Sequence, residues 1–291
     1  MKIDFIVNPR AGRRFRLRDR IAVIEKAFSG EEWDYRIHNT RHRGDATGLA
    51  RQAIESGSEL LVAVGGDGTV NEVASGLIHS SAGLGVIPVG SGNVLAREFQ
   101  IPLNINKACQ VLKNGRTRQI DVGKIGERYF FSVAGTGLDA YVVRRYDERS
   151  HWRGILPYFY LTFLSFFQYE PQEVRLRLPD QEIVTTPLLV AFANIKQVGG
   201  WIVIAPQAKP DDGLLDVCVL KNLSFWQALR CVPSLFTGKL METSALKVYK
   251  ADHLEIIKPT HWPYQVDGEP ALGNSCLSVS LLPRALRLHC P

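Results

Sequence analysis

The stretch LVAVGGDGTVNEVASGL, Leu61 to Leu77, narrows the possible folds more than any other part of this 291-residue chain. An apolar run of strand character enters Gly65-Gly66-Asp67-Gly68-Thr69 and continues as Val70, Val73, Ala74, Leu77 and Ile78 at helical spacing. Thr69 and Glu72 stand at the Thr-x-x-Glu spacing of a capping box, which is enough to start a helix. A cap needs no run of glycines. A backbone nest that accepts phosphate at a helix N-terminus does need one, because its amides must come close to the anion.

The same texture extends on both sides. From Met1 to about Ile120, strand-like runs (IDFIVN, WDYRIHN, LLVAVGG, LGVIPVG) alternate with helical ones, including a basic segment that ends near Phe28. Alternation of this kind predicts a parallel sheet with helices on both faces, and such sheets bind ligands beyond the carboxyl ends of their strands. Three glycine- and asparagine-bearing clusters fall at those ends: Asn8 to Gly12, Gly65 to Thr69, and Gly90 to Asn93. After Asp121 the runs become shorter and strand-like, with one helical insertion near Ile155 to Tyr169, as expected of an antiparallel sandwich. The expected fold is therefore α/β in class. Residues 1–120 form a nucleotide-binding α/β domain to which 283–291 return, and residues 121–282 form a β-rich domain.

Composition narrows the function only coarsely. A net charge of +6 favours an anionic partner without choosing among nucleotide, nucleic acid and acidic membrane. Five scattered cysteines without a CxxC give neither a disulfide framework nor a zinc site, and with no apolar signal core at the N-terminus a reducing cytosol is expected. The most apolar run, Ile155 to Tyr169, is shorter than the roughly 20 residues that span a bilayer and carries Pro157 in its first turn. It reads first as a buried or half-buried core helix and second as an interfacial membrane contact.

Of two familiar nucleotide motifs, one is excluded and the other is disfavoured. No lysine follows Gly68, so this is not GxxxxGK[ST]. Gly135 to Ala140, GTGLDA, matches a dinucleotide fingerprint but lies outside the alternating region and lacks the acidic strand residue about 20 positions later. Further on, Asp211 and Asp212 before Gly213 read either as a turn or as metal-associated carboxylates, and Asp267-Gly268 reads as a hairpin turn with Glu269 next to it.

Taken in order, NPRAG, GGDGTVNE, GSGNVLARE, GTGLDA, DDGLLDV and VDGE resemble the diacylglycerol kinase catalytic family, in particular bacterial lipid kinases similar to sphingosine and ceramide kinases. That resemblance implies ATP-dependent phosphorylation of a lipid hydroxyl, with a first domain similar to those of NAD kinases and phosphofructokinases and a β-rich second domain that holds the lipid. It implies ATP contacts from Asn8, Pro9, Arg10, Ala11, Gly12, Thr40, Gly66, Asp67, Gly68, Thr69, Val70, Asn71, Glu72 and Ser91, with Asp67 orienting magnesium-bound phosphates. It assigns a structural magnesium ion to Asp212 with the carbonyls of Lys209 and Leu214, and the general base to Glu269, with Asp67 as the alternative base. Val94 departs from the family pattern, which has an acidic residue there.

The implied partners are ATP, Mg2+, a lipid substrate and the inner membrane surface reached from the cytoplasm, and nucleic acid is not among them. The basic residues Arg13, Arg14, Arg16, Arg18 and Arg20 suit ATP or anionic headgroups. Two other readings stand beside this one: a kinase of a soluble acceptor such as NAD, and a non-catalytic nucleotide- or lipid-binding regulator.

Overall fold

The computed structural model describes residues 1–12, 17–30, 32–148, 155–200, 202–258 and 261–291. Two compact units emerge, Met1–Ile120 with Arg284–Pro291, and Asp121–Pro283. Arg13, Arg14 and Arg16 lie outside the described residues.

In the first unit the order is β1 (Lys2–Val7), α1 (Leu17–Phe28), β2 (Asp34–Asn39), α2 (Asp45–Glu55), β3 (Leu60–Gly65), α3 (Asp67–Leu77), β4 (Gly83–Pro88), α4 (Val94–Glu98) and α5 (Ile105–Asn114). Strands β2, β1, β3 and β4 lie side by side and all parallel, and residues 287 and 288 of the last strand extend the sheet beyond β4. Near-continuous burial of β1, β3 and β4 explains their unbroken apolar sequences, since helices cover both faces. On one face Ile24 and Phe28 of α1 join Ala108 and Leu112 of α5 over Phe5, Val62 and Ile87. Helices α2 and α3 pack against each other, with α3 against β3 and β4.

The register places the strand ends together. Val7 pairs with both Asn39 and Val64, and Gly65 pairs with Pro88. Because β2 and β3 flank β1 on opposite sides, the chain changes direction between β1 and β3, and the carboxyl ends of strands at such a switch point are where open α/β sheets bind ligands.

The second unit contains β5 (Arg116–Ile125, from Asp121 on), β6 (Arg128–Phe130), β7 (Val133–Gly137), α6 (Leu138–Glu148), α7 (Ile155–Gln168), β8 (Val174–Arg177), β9 (Glu182–Thr185), β10 (Pro187–Ala193), β11 (Gln197–Val198), β12 (Ile202–Val203), β13 (Leu215–Lys221), α8 (Phe225–Thr237), a 3-10 turn (Lys239–Glu242), β14 (Leu246–Ala251), β15 (His253–Ile257), β16 (Trp262–Val266), β17 (Glu269–Gly273) and the first half of β18 (Cys276–Cys290). One antiparallel sheet runs β14, β13, β10, β7, β16, β17. A second is built on β18, β15, β8 and β9. Alternate residues of both sheets, including Phe192, Val217 and Trp262 from one and Leu176, Ile256 and Val279 from the other, fill the core between them. Burial of a side chain as large as Phe192 contributes roughly 2 kcal/mol. The outer face of the first sheet is covered by α6 and α7 through Leu138, Val142 and Leu161.

Three expectations need correction. Among the described residues of the second unit there are three α-helices where the sequence suggested one. The Thr69–Glu72 capping box is not formed: α3 begins at Asp67 with Gly66 as its N-cap, so Thr69 is already inside the first turn. The core reading of the 155–169 run holds for one face only, because Leu161 and Ser165 are buried while Leu156, Tyr160, Phe163 and Phe167 are exposed.

Candidate functional site

The first unit gathers the three sequence-predicted loops at the carboxyl ends of β1, β3 and β4. Close backbone approach is what their glycines allow. A Cβ added at Gly90 would stand 2.5 Å from the Cα of Gly66, and one added at Gly12, where φ is +69°, would stand 2.8 Å from the carbonyl oxygen of Val89. Gly90→Ala is therefore expected to cost about 1–3 kcal/mol and to abolish the thermal shift expected from ATP, because the clash is with backbone that cannot swing aside. Thermal melts with and without nucleotide check this.

Side chains fix the loops to one another. Asp67, first residue of α3, accepts hydrogen bonds from the backbone amides of Asn93 (2.9 Å) and Val94 (2.6 Å). Asn93, itself at φ +51°, closes the third loop by accepting from the amide of Gly90 (2.9 Å) and donating to its carbonyl (2.8 Å). Asn8 donates from Nδ2 to Thr69 Oγ1 (3.0 Å) and accepts from the Arg10 amide (2.9 Å). Arg20, 2% exposed, donates to the carbonyls of Gly12 (3.1 Å) and Asn8 (3.4 Å) from the first turn of α1, and burial lowers its pKa. The amide of Thr40 bonds Val7 at the end of β1, which brings Thr40 beside Asn8.

The remaining residues of the glycine-rich stretch divide by role. Gly66 offers α3 no side-chain cap, and the helix dipole favours an anion at that end. Gly68 is half-buried beside them, Ser91 is exposed on the third loop, and Asn71 accepts from Ser75 Oγ. Val70 is 7% exposed and serves the core. Glu72 turns to the neighbouring helix, where its carboxylate accepts from the amides of Gly44 (2.8 Å) and Ala46 (3.2 Å) and caps α2.

In the second unit, Asp267 and Gly268 have φ values of +48° and +83° and turn β16 into β17, as the Asp-Gly pair predicts. The Asp267 carboxylate does more than favour the turn. It accepts from the amides of Phe131 (2.9 Å), Ser132 (2.9 Å) and Val133 (3.0 Å) and from Ser132 Oγ (2.7 Å). Glu269 follows with an ion pair to Arg128, whose Nη2 lies 2.8 Å from Oε2. Fully buried Asn194 donates to the carbonyls of Phe131 and Asp121, and Asp121 accepts from the amide of Gly213 (2.8 Å). This ladder ties the Asp267 turn to the Asp211–Gly213 turn along one end of the sheet.

Asp212 is closed by an internal cation. Its Oδ1 accepts from the Leu214 amide (3.2 Å), and Lys250 Nζ lies 2.9 Å from its Oδ2 and 3.8 Å from buried Asp216. Burial lowers the Lys250 pKa, but the bond to Asp212 and the charge of Asp216 outweigh it and hold the ammonium above its ordinary value. No cluster of three or more metal-ligating side chains occurs among the described residues. As they stand, Asp212 and the carbonyls of Lys209 and Leu214 fit a lysine-neutralised loop better than a bound magnesium ion. Magnesium or a chelator without nucleotide is thus expected to leave the melting temperature unchanged, whereas in Lys250→Met magnesium is expected to raise it. A chelator-induced drop in the unmodified protein would contradict this.

The GTGLDA stretch forms β7 and the start of α6, in the antiparallel unit, and its glycines admit neighbouring strand backbone rather than a dinucleotide. Asp139 in this motif accepts from Gln265 (3.3 Å), its Oδ1 is buried without a hydrogen-bond partner, and burial pushes its pKa up to about 6. Sequence reasoning missed Arg128, Asn194 and Lys250, whose roles depend on contacts distant in the chain, and it placed Arg20 on a basic surface, whereas its side chain is buried on the carbonyls of Asn8 and Gly12.

Residues 2–125 match the family model described as "Diacylglycerol kinase catalytic domain", and residues 132–290 match that described as "YegS C-terminal NAD kinase beta sandwich-like domain". The chain is similar to the diacylglycerol kinase of Bacillus subtilis (30% identical, covering 91% of this chain and 88% of that one). It is also similar to that of Mycobacterium tuberculosis strain H37Rv (32% identical, 85% and 82%) and to a protein of Chromohalobacter salexigens named "Probable lipid kinase YegS-like" (29% identical, 98% and 92%). A crystal structure described as a diacylglycerol kinase from Bacillus anthracis shares the fold, with a TM-score of 0.77 at 24% identity over 100% of this chain and 97% of the other.

Proposed function

The chain belongs to the diacylglycerol kinase catalytic family, and from that premise we propose that it transfers the γ-phosphoryl group of ATP to the hydroxyl of a lipid. The observation that carries the nucleotide half is the mutual anchoring of the Gly66–Thr69 and Gly90–Asn93 loops by Asp67 beside a helix N-terminus without a side-chain cap. Main-chain amides held in this way meet phosphate oxygens without reorganising, which is where such sites obtain most of their transition-state stabilisation. Asn8 to Gly12, Thr40, Gly66 to Thr69, Asn71 and Ser91 are the proposed nucleotide contacts. Val70 and Glu72 act through the fold, by core packing and by capping α2.

Magnesium bound with ATP supplies positive charge to the phosphates. Glu269 is the proposed general base: it accepts the lipid hydroxyl proton as the new O–P bond forms, and the bond to the β-phosphate oxygen breaks to release ADP. Arg128 orients that carboxylate through its ion pair. Asp67 is a positioning residue in this reading, since its two oxygens serve the amides of the third loop. ATP supply places the reaction on the cytosolic side of the membrane, with the acceptor drawn from the bilayer surface. The test compares diacylglycerol in mixed micelles with NAD as acceptors of label from γ-labelled ATP. Label in the lipid supports the proposal, and label only in NAD overturns the choice of acceptor.

A further inference from the structure

Helices α7 and α8 both turn apolar side chains outward. On α7 the exposed residues Leu156 (79% exposed), Phe159, Tyr160, Phe163 (53%) and Phe167 (59%) recur at three- and four-residue steps, while Tyr158, Leu161 and Ser165 face the unit's interior. On α8 Trp226 (70%), Leu229, Val232 and Phe236 do the same, and no residue of this helix is buried. The two helices meet through Phe225, whose ring centroid lies 5.2–6.2 Å from those of Phe163, Phe166 and Phe167. Both stripes thus belong to neighbouring helices of one unit, and the inner face of α7 already fills the core. An outward patch of this size has no folding role, and water penalises it.

Charge identifies the occupant. Residues 155–168 carry no charge at all, and residues 221–242 carry the exposed cations Lys221, Arg230 and Lys239 against one exposed acidic residue, Glu242. Exposed Trp and Tyr with an apolar face and a basic fringe match the boundary between acyl chains and anionic headgroups. We infer that the paired outer faces of α7 and α8 form the surface by which this protein docks on an anionic lipid bilayer. The inference deepens the lipid kinase reading and rests on it for the reason a bilayer must be approached; the contact itself is measurable without catalysis. At 14 and 13 residues neither helix is long enough to span the hydrocarbon, so they lie on the surface.

The experiment is co-sedimentation of the full chain with vesicles, without ATP, comparing phosphatidylcholine alone with phosphatidylcholine plus phosphatidylglycerol. The double variant Phe163→Ser, Trp226→Ser is run beside it, with transfer to a short-chain acceptor dispersed as monomers as a control for folding. We expect binding to the anionic vesicles, much weaker binding to the neutral ones, and a loss of about tenfold or more in the variant with transfer to the dispersed acceptor retained. Three results would overturn the inference: no binding to anionic vesicles by the unmodified protein, equal binding by the variant, or a dimer that the variant dissociates in place of vesicle binding. Failure of transfer to the dispersed acceptor by the unmodified protein would overturn the kinase reading alone, and vesicle binding would then still support the docking face.

Discussion

Asp67→Asn is expected to lower kcat/KM for ATP by about 100-fold or more, with a measurable drop in melting temperature. Its carboxylate accepts two amides at once, from Asn93 and Val94, and so holds the third loop against the first turn of α3. An asparagine side chain keeps one acceptor and turns an NH2 toward the other amide, so a donor faces a donor. Hydrogen bonds to a charged group contribute about 1.5–3 kcal/mol each, and a buried donor left unmatched costs about 1–3 kcal/mol. A shift of roughly 1 Å in a phosphate-binding loop is itself worth about 100-fold in rate. Steady-state kinetics and thermal unfolding of the same preparation check both halves. An Asp67→Asn enzyme with undiminished kcat/KM would remove this loop pair from the site.

Glu269→Gln should behave differently. The proposed proton acceptor is lost, and kcat should fall by about 100- to 10,000-fold. Stability should hardly change, because the ion pair with Arg128 has side chains 24% and 35% exposed and a partly solvated pair contributes about 1 kcal/mol or less. The glutamine loses the charge of the ion pair while its Oε1 can still accept from the guanidinium, and the Asp267 carboxylate, with its four hydrogen bonds, still holds the turn. A large kcat loss with an unchanged melting temperature is thus the signature of Glu269, and a joint loss of both is the signature of Asp67. Unchanged kcat in Glu269→Gln would contradict the role given to this carboxylate.

What the sequence made legible was whatever depends on short-range periodicity. The parallel sheet follows from strands such as FIV and LLVAVG that must be buried on both faces, and the positions of the loops follow from glycines placed at strand ends. The Asp267-Gly268 turn was legible for the same reason, since two successive positive φ values select that pair.

Helices α6 and α8 were not legible. The first follows β7 without a break, and the second carries Pro233 and an apolar face that points away from any core, which inverts the usual pattern. Glu72 was misread because a Thr-x-x-Glu spacing fits a capping box, whereas the carboxylate caps a different helix. Lys250 and Asn194 carry no local signal: their partners, Asp212 and Asp121, lie 38 and 73 residues away in the chain.

The most direct measurement of the central claim is an assay of γ-labelled ATP with magnesium against a total bacterial lipid extract in detergent, with products resolved by mass, beside Asp67→Asn and Glu269→Gln. A phosphorylated lipid made by the unmodified protein, and reduced at least about 100-fold in both variants, is the expected result. ATP binding with no phosphorylated lipid, or a product made equally well by both variants, would contradict it.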